Sequence, residues 1–373
     1  MEDKVSPEEN SENRADIQSQ WRLVWLQFKS HRLALVGLII LFIFYFIGAL
    51  FPEFFAPYGK LKRFDECYFP PQKIHFFDEE GKFHIQPFVY GYKAEVDFET
   101  WSREYTVDKS KRYKINLFTH GKEYKILGLF NTDIHLFGTK QGGHIFLFGT
   151  DDLGRDVFSR TLYAMRISLS IGFAGVFLSL ILGLIFGGIS GLLGGTVDEI
   201  IQRLIETLIA IPKVPLWMGL AAAVPKTWSV IRIYFALTII LSLMSWTGLA
   251  RVIRSKFISL REEDFVIAAR GFNASMATII GRHLIPNFIT YVIVHLTLAI
   301  PMMIIAETSL SFLGLGLRPP VVSLGVLLQR AQRFQTVSIY PWLLIPGFFV
   351  IIVVIAYNFV GDGLRDAADP YQN

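Results

Sequence analysis

Six apolar runs constrain this chain more than any other feature, because each is close to the ~20 residues a helix needs to cross the hydrocarbon of a bilayer. They fall at about 33–51 ("LALVGLIILFIFYFIGALF"), 167–193, 200–224, 231–250, 288–310 and 341–360. In lipid every backbone amide must be bonded within the protein, so runs of this kind are helices. The expected fold class is an all-α polytopic membrane protein with six transmembrane helices. The third run carries Pro212, Lys213 and Pro215 near its middle. Proline removes a helix hydrogen bond, so a kinked helix, or one beside a watery cavity, is expected there. Lys213 is a candidate pore or gate residue. The competing reading is a lysine that snorkels or pairs with a carboxylate on a neighbouring helix.

Composition bounds the alternatives. Of 373 residues, 52% are hydrophobic and 18% charged, against about a quarter charged in soluble domains. The net charge of +4 is spread beside the apolar runs rather than gathered on one basic face, which argues against nucleic acid as a partner. Cys67 is the single cysteine, so neither an intrachain disulfide nor a Cys/His metal cluster is expected. Residues 1–24 are largely polar and acidic. They are expected to form a disordered cytoplasmic tail, without the basic start and short apolar core of a cleaved signal peptide. Residues 25–58 then form an N-terminal anchor.

Orientation follows from the flanks. Arg22, Lys29 and Arg32 precede the first run, and Arg251, Arg254, Lys256, Arg261, Arg270 and Arg282 lie between the fourth and fifth. Lys and Arg collect on the cytoplasmic side, which places both regions, and the C-terminal tail, inside. Residues 59–147 are left outside. This segment is charged, aromatic and alternating: "KIHFFDEEGKFHI" reads as a hairpin turning at Glu79–Gly81, and "RYKINLFTHGKEYKIL" as one turning at His120–Gly121. A β-rich extracytoplasmic insertion is expected. Docking a binding protein, acting as a lid, and stiffening the outer face are all open roles for it. His75, His84, His120, His135 and His144 fall here without metal-ligand spacing and read as scattered surface histidines.

Gly183, Gly187, Gly191 and Gly195 recur every fourth residue. Such a stripe lets another helix backbone approach closely. It suits packing within the chain or a subunit interface, and packing is the simpler reading. The sequence has no G-x-x-x-x-G-K-[ST], G-x-S-x-G, H-E-x-x-H or G-x-G-x-x-G motif and no row of acids suited to a proton relay. Uphill transport by such a chain would draw its energy from another subunit.

The polar stretch "REEDFVIAARGFNASMATIIGRHLIPN" stands between the fourth and fifth runs. Ser259 and Glu262 fit a capping box that starts a helix near Leu260. Phe265, Ala268, Ala269 and Phe272 would form one narrow apolar face. Asn273 tolerates the left-handed conformation that ends helices, Ser275 can cap a second short helix, and Pro286 suits the first turn of the next span. The result would be a bent knuckle at the cytoplasmic surface. Ala268, Ala269 and Ala274 are small enough to enter a cleft on another protein. The alternative is a helix pair resting on lipid headgroups, which the acidic residues 262–264 fit poorly.

This stretch resembles the EAA loop of permease subunits in bacterial binding-protein-dependent ABC importers. Ile267–Ala268–Ala269 stands at the EAA position, Asn273 replaces the usual Gly, and His283–Leu284–Ile285–Pro286 closes the motif. "FAPYG" (55–59), "FGTDDLGRDVFSR" (148–160), "ETSLSFLGLGLRPP" (307–320) and "NFVGDGLRDAADP" (358–370) extend the likeness to the peptide/nickel-type permeases, specifically the C-type partner of oligopeptide and dipeptide importers. The resemblance covers roughly 25–60 and 148–370.

The resemblance implies a type I ABC importer permease fold over 148–373, with an EAA-type coupling loop at 259–286. Its ATPase-coupling residues would be Phe265, Ala268, Ala269, Arg270, Phe272, Asn273, Ala274, Ser275 and Pro286. It further implies a homologous B-type permease, two ATP-binding subunits and an extracytoplasmic solute-binding protein as partners, in a bacterial inner membrane. ATP and Mg would sit on the partner subunits and no cofactor on this chain. Oligopeptides or dipeptides are the implied solute, with oligosaccharides, nickel chelates and opines open. A self-sufficient secondary transporter is the rival class; it would need inverted repeats and midplane ion ligands, and the sequence shows neither. Glu307 is a further candidate pore or gate residue. It would line the solute path or pair with Arg232 or Arg318. Asp151, Asp152, Arg155 and Asp156 are expected to cap and brace the outer start of the second span.

Overall fold

The computed structural model describes residues 20–97, 102–126, 128–139, 142–225, 227–260, 263–271, 278 and 285–368. A short helix α1 (Gln20–Ser30) precedes α2 (Arg32–Phe44), which continues as a wider π turn over Tyr45–Leu50. Helical order therefore begins inside the stretch expected to be a disordered tail: Trp25 stacks on Phe28, which is buried near Gly363. His31 caps α2 through Ala34 N. Helix α3 (Pro52–Phe55) closes the anchor.

The insertion is a four-stranded antiparallel meander: β1 (His75–Phe77), β2 (Phe83–Asp97), β3 (Ser102–Ile126) and β4 (Phe130–Thr139). The first hairpin turns where the sequence indicates, with Gly81 at φ +77°. The second differs from expectation. His120–Gly121 lies within β3, which runs on to Ile126, and the reversal comes at Gly128 (φ +75°). Gly121 supplies space rather than a turn: an ideal Cβ there would lie 2.5 Å from the ring of His135. His135 is itself buried, with Nδ1 2.8 Å from both Glu53 O and Ala56 O. It pins the sheet to α3 and is no surface histidine. Rings of Tyr58, Phe64, Phe69 and Phe146 pack edge to face or tilted between the 57–72 segment and the 144–148 segment.

Beyond the insertion come α4 (Val157–Leu193), α5 (Gly195–Ala210), α6 (Lys213–Ala223) and α7 (Val230–Leu260). Then follow α8 (Asp264–Gly271), α9 (Ile285–Phe312), α10 (Leu324–Leu328), α11 (Phe334–Ile339) and α12 (Ile345–Ala368). Among the described residues, five helical stretches are long and apolar enough to span a membrane: Arg32–Leu50, Val157–Leu193, Val230–Leu260, Ile289–Phe312 and Pro341–Ala368. The expected third run is bent by 88° between α5 and α6. Ile211 and Pro212 are both extended at the break, as the residue before a proline prefers.

Packing settles how this bent pair runs. The C-terminal end of α4 lies beside the C-terminal end of α7, where Gly191 meets Phe257. Asp198 at the start of α5 pairs with Arg254 near the same end of α7. Val230 at the other end of α7 borders the insertion. The chain must therefore travel the full thickness between α4 and α7, and α5–α6 make that crossing as one bent unit. This gives six crossings. α1, the start of α2 and the end of α12 share the α8 side: Gly363 approaches Ala34, and Gly37 approaches Ala356 O. Tyr45 and Tyr357 join α2 to α12 through a 2.6 Å hydroxyl contact.

Candidate coupling surface and outer gate

The glycine stripe makes a close helix contact in the bundle. Ideal Cβ atoms would lie 3.0 Å from the Leu249 side chain at Gly183, 2.5 Å from Ala250 O at Gly187 and 2.7 Å from Phe257 Cβ at Gly191. All three meet α7, so the stripe packs within the chain. Gly195 does not continue it. Gly194 and Gly195 both take positive φ, the helix axis breaks there, and nothing lies within 4 Å of a Cβ on Gly195.

At the α8 side the structure differs from the expected capping box. Ser259 and Leu260 close α7, and the next helix begins at Asp264. Phe257, fully buried against Gly191, carries α7 past the position where local sequence would start a new helix. Glu263 O accepts Val266 N at 2.9 Å and Ile267 N at 3.1 Å, so the backbone of Glu263 opens α8. Val266 is fully buried in a cluster with Leu192, Leu249, Ile253, Phe257 and Val292. It anchors α8 to the ends of α4, α7 and α9, leaving Ile267 and Ala268 exposed. Sequence reading missed Val266, although an apolar residue beside the Ala pair was a usable signal. Phe265, Ala269 and Arg270 lie on α8 and Pro286 in the first turn of α9. Phe272, Asn273, Ala274 and Ser275 are outside the described residues, as is Glu262.

A polar clasp ties this region to the bent crossing. Arg254 Nε and Nη2 each lie 2.5 Å from the Asp198 carboxylate, which also accepts from Ser190 Oγ. Gln202 Nε2 donates to Ser190 Oγ at 3.0 Å. The clasp links the α4–α5 break to α7 just before α8. The sequence marked Arg254 as a topological charge only, since its partner is distant along the chain. Lys213 is exposed at the start of α6, directly after the 88° bend. No carboxylate pairs with it among the described residues.

On the insertion side Glu307 is almost wholly buried, and its partners are hydroxyls rather than arginines. Ser168 Oγ donates to Oε2 at 3.0 Å and Ser311 Oγ to Oε1 at 2.7 Å. The same hydroxyl oxygens accept Leu324 N at 3.1 Å and Leu317 N at 2.9 Å. Glu307 thus holds the 313–324 loop against α4 and α9. The expected pairing with Arg232 or Arg318 is absent: Arg232 is exposed, and Arg318 Nε donates to Gly314 O at 3.1 Å. A buried carboxylate needs such satisfied partners. Nearby serines on other elements supply them without leaving a sequence pattern.

The segment 148–160 forms a buried knot beside this loop. Asp151 accepts Arg155 Nε at 2.9 Å, pairs with Arg160, and takes Leu153 N and Arg155 N on its other oxygen. Arg330 reaches Asp152 at 2.7 Å. Gly149 (φ +73°) and Gly154 (φ +64°) are both required: Phe69 O and Phe64 O press against the positions a Cβ would occupy. Asp156 caps α4 through Ser159 N at 2.7 Å. Burial pushes its carboxyl up to about 7, against the opposing pull of the Ser159 hydrogen bonds. Among the described residues no group of three His, Cys, Asp or Glu side chains is placed to hold a metal ion.

The chain is thus a helical bundle whose α7–α8 end is anchored by Val266 and whose opposite end is tied by Glu307. Residues 179–372, just over half the chain, match the binding-protein-dependent transport system inner membrane component family. Residues 19–71 match the N-terminal TM domain of oligopeptide transport permease C. The chain belongs to the family of binding-protein-dependent transport system inner membrane components. It is 40% identical over 225 residues to a putative peptide permease protein of Brucella suis, covering 60% of this chain and 72% of the relative. It is 36% identical over 224 residues to the oligopeptide transport system permease protein OppC of Bacillus subtilis (60% and 71% covered). It is 38% identical over 225 residues to the dipeptide transport system permease protein DppC of the same organism (60% and 68%). Among solved structures, an inward-facing form of the MetNI methionine ABC transporter overlaps 54% of this chain and 93% of its own, at 16% identity and a TM-score of 0.41. Residues 72–178, which include the whole β-meander, lie outside both family matches.

Proposed function

We propose that this chain is the C-type permease of an ATP-driven importer of oligopeptides or dipeptides. It forms half of a translocation pore with a homologous B-type permease, over two ATP-binding subunits and beneath an extracytoplasmic solute-binding protein. The observation that carries the reading is the family match across 179–372 joined to an oligopeptide-permease N-terminal match at 19–71. The relatives named for oligopeptide and dipeptide transport support the solute class. The α8 side is cytoplasmic, with both termini, because Arg251, Arg254 and Lys256 lie at that end of α7 and Lys and Arg collect on the cytoplasmic side. The chain is a non-catalytic gate, and ATP and Mg belong to the partner subunits.

The mechanism is a rigid-body switch between two openings, driven by partners that bind ATP more tightly in one of them. α8, held by Val266, transmits the partners' motion to α7 and α9. The Asp198–Arg254 clasp passes it to the bent α5–α6 crossing, which carries Lys213. Reconstituting the assembled complex in proteoliposomes with labelled peptide tests this. ATP-dependent accumulation is expected. Accumulation against a gradient by this chain alone would refute it.

A further inference from the structure

The meander is outside the family matches, yet it does not stand apart from the membrane bundle. Between it and the outer ends of α4 and α7 lies a cleft of about 1030 Å³, at the top of the range for small-molecule sites, about 300–1,000 Å³. One wall is the 57–62 segment and the 119–124 part of β3; the floor is Tyr163, Ile167, Val230 and the Pro320–Val322 turn. His135 fixes the wall to α3 by its two 2.8 Å carbonyl contacts, so the cleft is a built feature.

Its charges are unbalanced. Arg166 and Glu53 also line it, but they consume each other at 2.5 and 2.7 Å, and Arg166 further donates to Ala49 O and Leu50 O. Lys60, Lys62 and Lys122 remain, against Glu123 alone. Lys62 lies over the Tyr58 and Phe64 rings, at 5.1 and 4.8 Å from their centroids, and has no carboxylate partner among the described residues. Lys60 and Lys122 have no ion pair among the described residues. A cleft with three ammonium groups against one free carboxylate, lined also by aromatic and apolar side chains, suits a short peptide bearing a free carboxylate.

We propose that the meander and the outer ends of α4 and α7 form a receiving site for short peptides, with Lys60, Lys62 and Lys122 recognising the C-terminal carboxylate. This rests on the peptide-transport reading above. It gives the insertion a substrate-contacting role that the two family matches leave unassigned.

The test uses the assembled transporter, with its binding protein, in proteoliposomes. A peptide carrying a benzophenone side chain is supplied either as the free acid or as the C-terminal amide. Photo-cross-links mapped to 57–62 and 119–124 of this chain are expected for the free acid. They should be at least about fivefold weaker for the amide, the loss of one charge-assisted contact. The double substitution K60Q/K122Q should weaken the free-acid cross-links similarly and leave the amide's unchanged. Cross-links absent from these segments, or equal for acid and amide, overturn the site while leaving peptide transport standing, provided uptake is intact. A double variant that loses only affinity for the binding protein also overturns it, because the lysines would then serve protein docking. If neither peptide is accumulated by the intact complex, the transport reading falls and the site with it.

Discussion

Replacing Gly187 by alanine tests the central packing of the bundle. The new Cβ would sit 2.5 Å from Ala250 O and 3.0 Å from Ala250 Cα. Both are backbone atoms on a packed helix, so neither can swing aside, and α4 must move off α7 by several tenths of an ångström. Overpacking of this kind costs about 1–3 kcal/mol. Alanine's higher helix propensity returns up to about 1 kcal/mol. The net expectation is a destabilisation of roughly 0–3 kcal/mol. Gly248 is the control. It lies in α7 with nothing within 4 Å of its Cβ position, so Gly248→Ala keeps the propensity gain without the clash. Thermal unfolding of the purified chain in one detergent, followed by fluorescence-detected size exclusion, should place G187A at or below the parent and below G248A, with G248A at or above the parent. If G187A matches or exceeds G248A, the close α4–α7 contact is wrong.

Three further outcomes follow from the polar sites. Asp156 is raised from 3.8 to about 7 by burial, so the folded state holds its proton more tightly than the unfolded chain. That stabilisation is complete below about pH 4 and is lost as pH rises through 7, at ~1.4 kcal/mol per pKa unit. Asp156→Asn should flatten the thermal-midpoint profile between pH 5 and 8, and an unchanged slope would assign it elsewhere. Glu307→Gln retains an acceptor for one of the Ser168 and Ser311 hydroxyls, whereas Glu307→Ala orphans both, at about 1–3 kcal/mol each. Protease nicking of the 313–324 loop should rise sharply in the alanine variant and little in the glutamine variant. Arg254→Ala leaves a partly buried Asp198 without its cation, and about 1–3 kcal/mol of stability should go with the lost hydrogen bonds to a charged group. Asp198→Asn in the same background should recover part of it, measured by the same thermal assay.

The spanning helices were legible because lipid imposes a length and composition that the runs display directly. The break at Pro212 was legible for a similar reason, since proline acts on its own neighbours. Features fixed by distant contacts were not. Gly121 looks like a hairpin turn, yet it serves the ring of His135, and the reversal falls at Gly128. Ser259 has the spacing of a helix cap, yet the burial of Phe257 prolongs α7 through it. Glu307 suggested an arginine partner because lone acids in lipid are costly. Three-dimensional packing brought Ser168 to it from another helix instead. The Asp198–Arg254 clasp bridges two helices with no shared motif.

Ala268 is exposed on α8, two residues and so about half a turn from the anchoring Val266, within the segment proposed to meet the ATPase subunits. Ala268→Arg in the assembled complex is the most direct test of a gate worked from its cytoplasmic side. The chain should still reach the membrane and keep its thermal midpoint, because the side chain faces outward. Copurification of the ATPases and ATP-driven peptide uptake should both be lost. Undiminished uptake with the ATPases still attached would contradict the account.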